Sequence, residues 1–200
     1  MNTNCLTDTL AADIINNCDN LAKAGIEADV LIIPHKDIDW AATTFDATNR
    51  LVITDLQLIA GGKTGFLLEG VKQMNAFNWE FVKGDPQTID KFRHLFNGVI
   101  NSPTAENRLS ASQLAKGESY VIVINKKYKG VGSKDAFLVL GRDAGLYISE
   151  MTESSRDNNG AILFTMASED GQLEADMPRQ LLETDYATTL TGFENKFLSI

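Results

Sequence analysis

Hydrophobic and polar residues alternate with a period of two in many parts of this chain, which is typical of β-strands. The clearest example is residues 74–82, where aromatic residues alternate with Asn78 and Glu80. These aromatic residues are Phe77, Trp79 and Phe81. Because successive side chains of a strand point to opposite faces, this stretch predicts one apolar and one polar face. Burial of the aromatic face in the core is the favoured interpretation.

Turn residues separate further strand-like runs. Residues 29–35 form a short apolar run that is closed by Pro34, which suits a strand end or a sheet edge. Residues 49–60 and 64–72 flank Gly61-Gly62-Lys63 and predict a hairpin. The other predicted strands are 92–100, 119–125, 136–140, 146–151 and 161–167, with an edge strand at 186–191 in an otherwise irregular, acidic C-terminal stretch.

Residues 103–116 predict a helix, because Ser102 can cap it, Pro103 suits its first position and Gly117 follows its end. The first 28 residues contain apolar residues at helical spacing, interrupted by asparagines that favour turns. The apolar residues are Leu10, Ile14, Cys18 and Leu21.

The predicted fold is therefore mainly β, a β-sandwich or partial barrel with one flanking α-helix and a partly helical N-terminal segment. Its organisation is an N-terminal arm at 1–28 and a single β-rich domain at 29–200, with the helix near 103–116.

Composition and charge exclude several classes of function. The chain has 200 residues, of which 44% are hydrophobic, and a formal net charge of −9. This charge disfavours binding to nucleic-acid phosphates or to anionic membranes. The start of the chain lacks the basic and apolar regions of a signal peptide, so synthesis in the cytoplasm is expected. Cys5 and Cys18 are expected to be reduced thiols and cannot supply a four-ligand zinc site.

The candidate catalytic motifs are weak. Gly61-Gly62-Lys63-Thr64 lacks the first glycine of a P-loop, because Gln57 occupies that position, and a strand is predicted after it. His35 and His94 have no positioned nucleophile near them in sequence. We therefore expect that Gly61-Gly62-Lys63-Thr64 forms a turn and that both histidines are ordinary surface or core residues. No enzyme activity and no cofactor are expected.

Carboxylate side chains offer two further candidate sites, one for a metal ion and one for catalysis. One is a short cluster that could hold a hard cation or could serve turns, and the turn interpretation is favoured. It consists of Asp37, Asp39 and Asp46. The other is a pair, Asp55 and Glu69, which could face each other across the predicted hairpin as a glycosidase requires. No metal is expected.

Several stretches together resemble virion structural proteins of tail-tube type from phages and prophages of Bacteroides-like hosts. They are NCLTDTL, VLIIPHKDID, FLLEGVKQMNAFNWEF, KGESYVIVINKKYKG, KDAFLVLGRDAGLYISEM and GAILFTMASEDGQLEADMP, in that order. The resemblance implies hexameric rings that stack, with inner sheets joined around a channel for DNA. It also implies a virion location, with other phage tail or neck proteins as partners.

Neck, connector and tail-terminator rings, which share this β-rich fold but do not polymerise, remain alternatives. A ligand-binding β-sandwich is an alternative of a different class, in which the aromatic face of residues 74–82 would stack on sugars. A hydrolase that uses Asp55 and Glu69 is the third class considered.

Two loops are the candidate subunit contacts. They are Gly61, Gly62 and Lys63 in one, and Lys126, Lys127 and Lys129 in the other. The second loop is a positive island in an acidic chain. It could meet the acidic C-terminal stretch of another copy, or it could be a solvated hairpin tip without a partner.

Replacing Lys126, Lys127 and Lys129 together with Glu should therefore weaken assembly, because it reverses the charge of this loop. Light scattering of the triple variant and the wild type measures the effect. An unchanged assembled fraction would contradict the loop prediction.

Overall fold

The computed structural model describes residues 10, 12–71, 74–85 and 88–199, and in these the chain forms two β-sheets and two α-helices. The strands are β1 (Ile26–Pro34), β2 (Thr44–Phe45), β3 (Val52–Asp55), β4 (Phe66–Leu68), β5 (Ala76–Val82), β6 (Lys91–Ile100), β7 (Tyr120–Lys126), β8 (Phe137–Leu140), β9 (Tyr147–Glu153), β10 (Ile162–Ala167) and β11 (Arg179–Leu181). The helices are α1 (Ala105–Lys116) and α2 (Tyr186–Glu194). No helix in the described part of the chain is long and apolar enough to cross a membrane.

The large sheet has the strand order β2-β3-β11-β8-β7-β1-β4, and the small sheet has the order β5-β6-β10-β9. Neighbouring strands are antiparallel, except that β11 runs parallel to β3. The arrangement is the predicted β-sandwich with a flanking helix, and most strands lie within a few residues of their predicted positions.

Apolar side chains of both sheets meet between them. Phe96 of β6 and Met166 of β10 come from the small sheet, and Ile122 of β7 and Leu140 of β8 come from the large sheet. All four are fully buried. This layer holds the two sheets together through the hydrophobic effect.

The opposite face of the large sheet is buried as well. Val121 and Val123 of β7 point to this side, where Phe193 of α2 and Phe197 beyond it cover them. Ile38, which follows β1, and Leu56 and Leu58, which follow β3, complete the cover. The continuous apolar run of β7 is thus explained, since both of its faces lie in a core.

Asn75 joins the two sheets at the entry to β5. Its side-chain amide donates to the carbonyl of Ala28 in β1 at 3.1 Å, and its side-chain oxygen accepts from the backbone N–H of Val99 in β6 at 3.1 Å. Asn75 is 5% exposed. The neighbouring turn passes so close to β1 that a Cβ at Gly70 would lie 2.0 Å from the carbonyl oxygen of Ala28. Glycine is therefore required at position 70.

The predicted hairpin around Gly61-Gly62-Lys63 is wrong. β3 pairs with β2 and β11, whereas β4 pairs with β1 at the other end of the large sheet. The two glycines do form a turn with positive φ angles, but the strands on either side of it separate. Local alternation indicated strands here but could not identify their partners.

The helical prediction for the N-terminal segment is wrong for residues 12–25, which contain no helix. Asn17 forms a turn instead, since its side chain accepts from the N–H of Asp19 and its carbonyl accepts from the N–H of Asn20. Residues 1–9 and 11 lie outside the described residues.

Two helix details also differ from expectation. Thr104, not Ser102, caps α1, because the Thr104 hydroxyl accepts from the N–H of Asn107 at 3.2 Å. The predicted edge strand at 186–191 is wrong, since these residues lie in α2, which Asp185 caps by accepting from the N–H of Thr188 at 2.8 Å. Packing of Phe193 on Phe137 outweighs the strand preference of the threonines.

Asn75→Ala should lower the free energy of unfolding by about 2–3 kcal/mol, because it leaves a buried N–H and a buried carbonyl without their partner. Urea unfolding followed by circular dichroism measures this change. Asn16→Ala, at an exposed position in the N-terminal segment, is the matched control and should change the value by less than about 0.5 kcal/mol. Equal effects of the two substitutions would show that Asn75 does not bridge the sheets.

Candidate assembly interface

Strand β5 forms a long, regular edge of the small sheet. Its seven residues pair with β6 without a register shift and contain no proline and no lysine. The other sheet edges are better protected: β2 and β4 have two and three residues, and β9 contains a bulge where it pairs with β10. Natural proteins use short strands, bulges, prolines and charges to protect edges, and β5 carries little such protection.

The hydrogen bonds of β6 show which backbone groups of β5 face outward. Phe92 exchanges two backbone hydrogen bonds of 2.9 Å with Glu174, on the side of β6 away from β5. The residues opposite Phe92 and His94 are Phe81 and Trp79, so these form the non-hydrogen-bonded pairs of the ladder. The N–H and C=O groups of alternate β5 residues therefore point to the open edge. These residues are Phe77, Trp79 and Phe81.

The aromatic face of β5 is only partly buried. Phe77 packs on the core, but Trp79 is 39% exposed and Phe81 is 53% exposed. Both rings contact Phe92, with centroid distances of 5.8 and 5.5 Å. The expectation that this whole face lies in the core is wrong, because the described chain covers only its Phe77 end.

The outer face of the small sheet carries most of its polar side chains, because the other face supplies the apolar core, although Leu95 and Val99 of β6 also lie on the outer face. Arg93 lies near the start of β6, beyond the residues that pair with β10, and it binds Glu80 at 3.6 Å and also Asp170. Asn97 accepts a hydrogen bond of 2.9 Å from Thr165. Further exposed residues of this face are Asn78, Ser149, Glu150, Thr152 and Leu163. This surface carries few cations to hold a polyanion.

The loop of Gly61, Gly62 and Lys63 is exposed but tied to the rest of the chain. Lys63 forms a 2.9 Å ion pair with Asp37, its N–H donates to the hydroxyl of Ser199 at 2.8 Å, and its carbonyl accepts from the Ser199 N–H. The strand β4 follows this turn, as the sequence predicted.

The lysine loop that follows β7 has partners within the chain. Lys127 and Lys129 both bind the carboxylate of Glu27 in β1, and Lys127 in particular lowers the pKa of Glu27. Lys126 lies over the ring of Tyr128 at 5.5 Å. The charge-reversed triple variant would therefore also repel Glu27. Contact between this loop, or the glycine loop, and another subunit stays a prediction.

The two histidines lie in different surroundings and do not form a common site. The Nε2 atom of His35 lies 2.9 Å from the carbonyl of Arg142. His94 is 2% exposed, its Nδ1 accepts from the N–H of Gly141 at 3.1 Å, and its Nε2 donates to the carbonyl of Asp176 at 3.0 Å. Both ring nitrogens of His94 are thus used in holding two loops together.

A buried carboxylate, Glu174, holds the same region from the other side. It is 1% exposed and accepts from the N–H of Asp143 at 2.6 Å and of Ala144 at 3.1 Å. Burial, together with the nearby charge of Asp143, raises the pKa of Glu174 to about 7, although the backbone donors oppose this shift. Arg179 bonds to Asp176 at 3.2 Å and completes the cluster. These contacts serve the packing of loops, since the groups are sealed from solvent.

The carboxylate candidates also have structural roles. Asp39 accepts from the N–H groups of Ala41 and Ala42, and Asp46 caps a turn at Thr48 and Asn49. Within the described residues, no group of His, Cys, Asp and Glu side chains is arranged to hold a metal ion. Asp55 and Glu69 do not face each other, because β3 and β4 lie near opposite ends of the large sheet. The hydrolase hypothesis thus loses the geometry on which it was based.

Sequence reasoning did not single out the β5 edge as the candidate interface. Its signal was present in a long strand without lysine or proline, but alternation alone does not show that a strand lies at an edge.

Searches of protein-family models, of curated proteins and of solved structures find no match to this chain.

The buried imidazole of His94 predicts a pH dependence of stability. Burial lowers the pKa of His94 from 6.5 to about 4, partly opposed by its bond to Asp176. The unfolded chain therefore binds a proton that the folded chain excludes, and this residue removes up to about 3 kcal/mol of stability as the pH falls from about 6.5 to about 4. Glu174 has the opposite effect on stability. Because its pKa is raised to about 7 in the folded chain, the folded chain holds a proton that the unfolded chain releases, and stability is lost as the pH rises from about 4.5 to about 7.

His94→Gln should keep the polar contacts but remove this titration. The difference in unfolding free energy between wild type and variant should therefore shrink by up to about 3 kcal/mol between pH 6.5 and pH 4. Urea unfolding across this pH range measures it, and the difference at pH 7.5 gives the packing cost alone. A difference that stays constant with pH would contradict the proposed role of His94.

Proposed function

We propose that the chain is a phage virion structural protein, a tail-tube subunit that assembles into stacked homo-oligomeric rings around a channel for DNA. The resemblance of several stretches to tail-tube proteins supports this proposal and suggests hexameric rings. In this function the chain acts by assembly rather than by catalysis.

The observation that carries the proposal is the open edge of β5. The backbone groups of Phe77, Trp79 and Phe81 point outward beside exposed aromatic rings. A chain that remained alone would leave this edge free to pair with any other strand. In a ring, a strand of the next subunit covers it and the edge becomes an interface.

The two-sheet architecture supports a channel. The edges of the small sheet are β5 and β9, so side-by-side copies can continue this sheet from one subunit into the next. Its outer face, which carries most of its polar side chains, would then line the channel. Because the chain has a net charge of −9 and its Arg93 is already paired with Glu80 and Asp170, this lining would repel DNA phosphates rather than hold them.

A neck, connector or tail-terminator ring is a closely related function. It uses the same contacts within the ring and differs in whether rings stack on each other. Particles that are single rings in electron micrographs would favour this function over the tail tube.

A second candidate of a different class is a ligand-binding module. The exposed rings of Trp79 and Phe81 favour it, because aromatic side chains stack on sugars. Their rings are tilted by 59° and 63° against Phe92, however, so the three rings do not form a single flat platform.

Light scattering of the purified protein over a range of concentrations, followed by negative-stain imaging, tests the assembly proposal. Rings or stacked tubes with a central channel are expected. A monomer at every concentration, together with saturable binding of oligosaccharides to the wild type, would overturn the proposal in favour of the ligand-binding module.

Phe81→Asp should reduce the ring fraction by about tenfold or more, because a carboxylate buried in an apolar contact costs at least about 1.4 kcal/mol. Leu109→Asp, at a position that is 60% exposed on α1, is the matched control and should leave assembly unchanged. Both variants should retain the wild-type circular dichroism spectrum. Normal rings formed by Phe81→Asp would show that the β5 edge lies outside the ring contact.

A further inference from the structure

The sequence of β5 is nearly symmetric about Trp79. Residues 77–81 read Phe-Asn-Trp-Glu-Phe, so aromatic residues stand at equal distances on either side of the tryptophan. The polar positions between them differ only in that Asn78 stands on one side and Glu80 on the other. A strand with this pattern presents the same sequence of side chains to an antiparallel copy of itself.

The outward backbone groups of β5 belong to the residues that such pairing requires. The outward N–H and C=O groups belong to Phe77, Trp79 and Phe81, which are the residues of the symmetric pattern. In an antiparallel ladder, a residue whose groups point to the partner exchanges two hydrogen bonds with the residue opposite. At present the N–H of Trp79 donates to the side chain of its own neighbour Asn78 at 2.8 Å.

We propose that, in the unassembled protein, the β5 edge pairs with the β5 edge of a second copy about a two-fold axis through Trp79. This contact joins the small sheets of two copies into one continuous sheet. The proposal rests on the strand itself and holds whether or not the chain belongs to a virion. It goes beyond the proposed ring, in which β5 would lie beside β9 of the next copy.

The side chains on both faces fit this register. On one face, Phe77 lies opposite Phe81 of the second copy and the two tryptophans lie opposite each other, which covers rings that are exposed in one copy alone. On the other face, Glu80 lies opposite Asn78, so an acceptor meets an amide donor and the two carboxylates avoid each other. Arg93 lies beside each Glu80 at 3.6 Å and balances its charge.

The other edges fit less well. β2 and β4 are too short to pair along seven residues. β9 has a bulge between its pairs with Thr165 and Met166, and it adds Glu150 to the face that carries Glu80. A second β5 is thus the regular partner that the free chain offers, and ring formation would have to replace this contact.

Disulfide cross-linking tests the register. In a background with Cys5→Ser and Cys18→Ser, one protein carries Asn78→Cys and another carries Glu80→Cys. The proposal places these positions opposite each other, with Cα atoms about 4.5 Å apart, which allows a disulfide. In either protein alone, the two cysteines lie diagonally, at about 8 Å, which is too far for one.

Mild oxidation of the mixed proteins, with the unassembled fraction isolated by size exclusion, should therefore give cross-linked dimers on the order of tenfold faster than either protein alone. A mixture of Glu80→Cys with Glu150→Cys reports head-to-tail pairing of β5 with β9 and should not cross-link in this fraction. Equal rates for the mixture and the single proteins, or preferential cross-linking of Glu80→Cys with Glu150→Cys, would overturn the proposal. Ring formation, measured separately by imaging, does not affect this comparison.

Discussion

The structure depends on covering both faces of the large sheet. β7 and β8 have apolar residues on both sides, so neither face can be left in water without losing a large part of the hydrophobic stabilisation. The small sheet covers one face through Phe96 and Met166. The other face is covered by α2 and by the segment around Leu56, and this requirement places the C-terminal helix where a strand was expected.

The small sheet has the opposite character, because only one of its faces is covered. Its outer face carries most of its polar side chains, and the exposed end of β5 is the least protected part of the small sheet. Hydrogen bonding and the hydrophobic effect act together there, since the outward backbone groups of β5, which pair with no other strand of the described residues, lie beside the exposed rings of Trp79 and Phe81. The large sheet therefore provides stability, whereas the small sheet provides the surface that is suited to association.

Period-two alternation located β5, and the continuous apolar run of residues 119–125 located β7, because each of these strands has a face in the core. For β6, the absence of a clean helical stripe favoured a strand over a helix. These local patterns could not predict pairing, so the strands around Gly61 were joined wrongly. β11 was missed because Arg179–Leu181 is short and lacks alternation, and it is defined by its neighbours. The exposure of Trp79 was missed because alternation reveals a face but not what covers it.

The position of β11 has a consequence for folding. This strand lies between β3 and β8, although about 125 residues separate β3 from it along the chain. On the ribosome, β3 and β8 cannot be bridged until residues 179–181 have emerged, so the large sheet closes late and its contact order is high. β5 and β6 are adjacent in sequence and can form their hairpin much earlier. Until residues 186–197 have emerged, nascent chains would also expose the apolar face of the large sheet that Phe193 and Phe197 later cover, which makes this face the expected binding target of chaperones during synthesis.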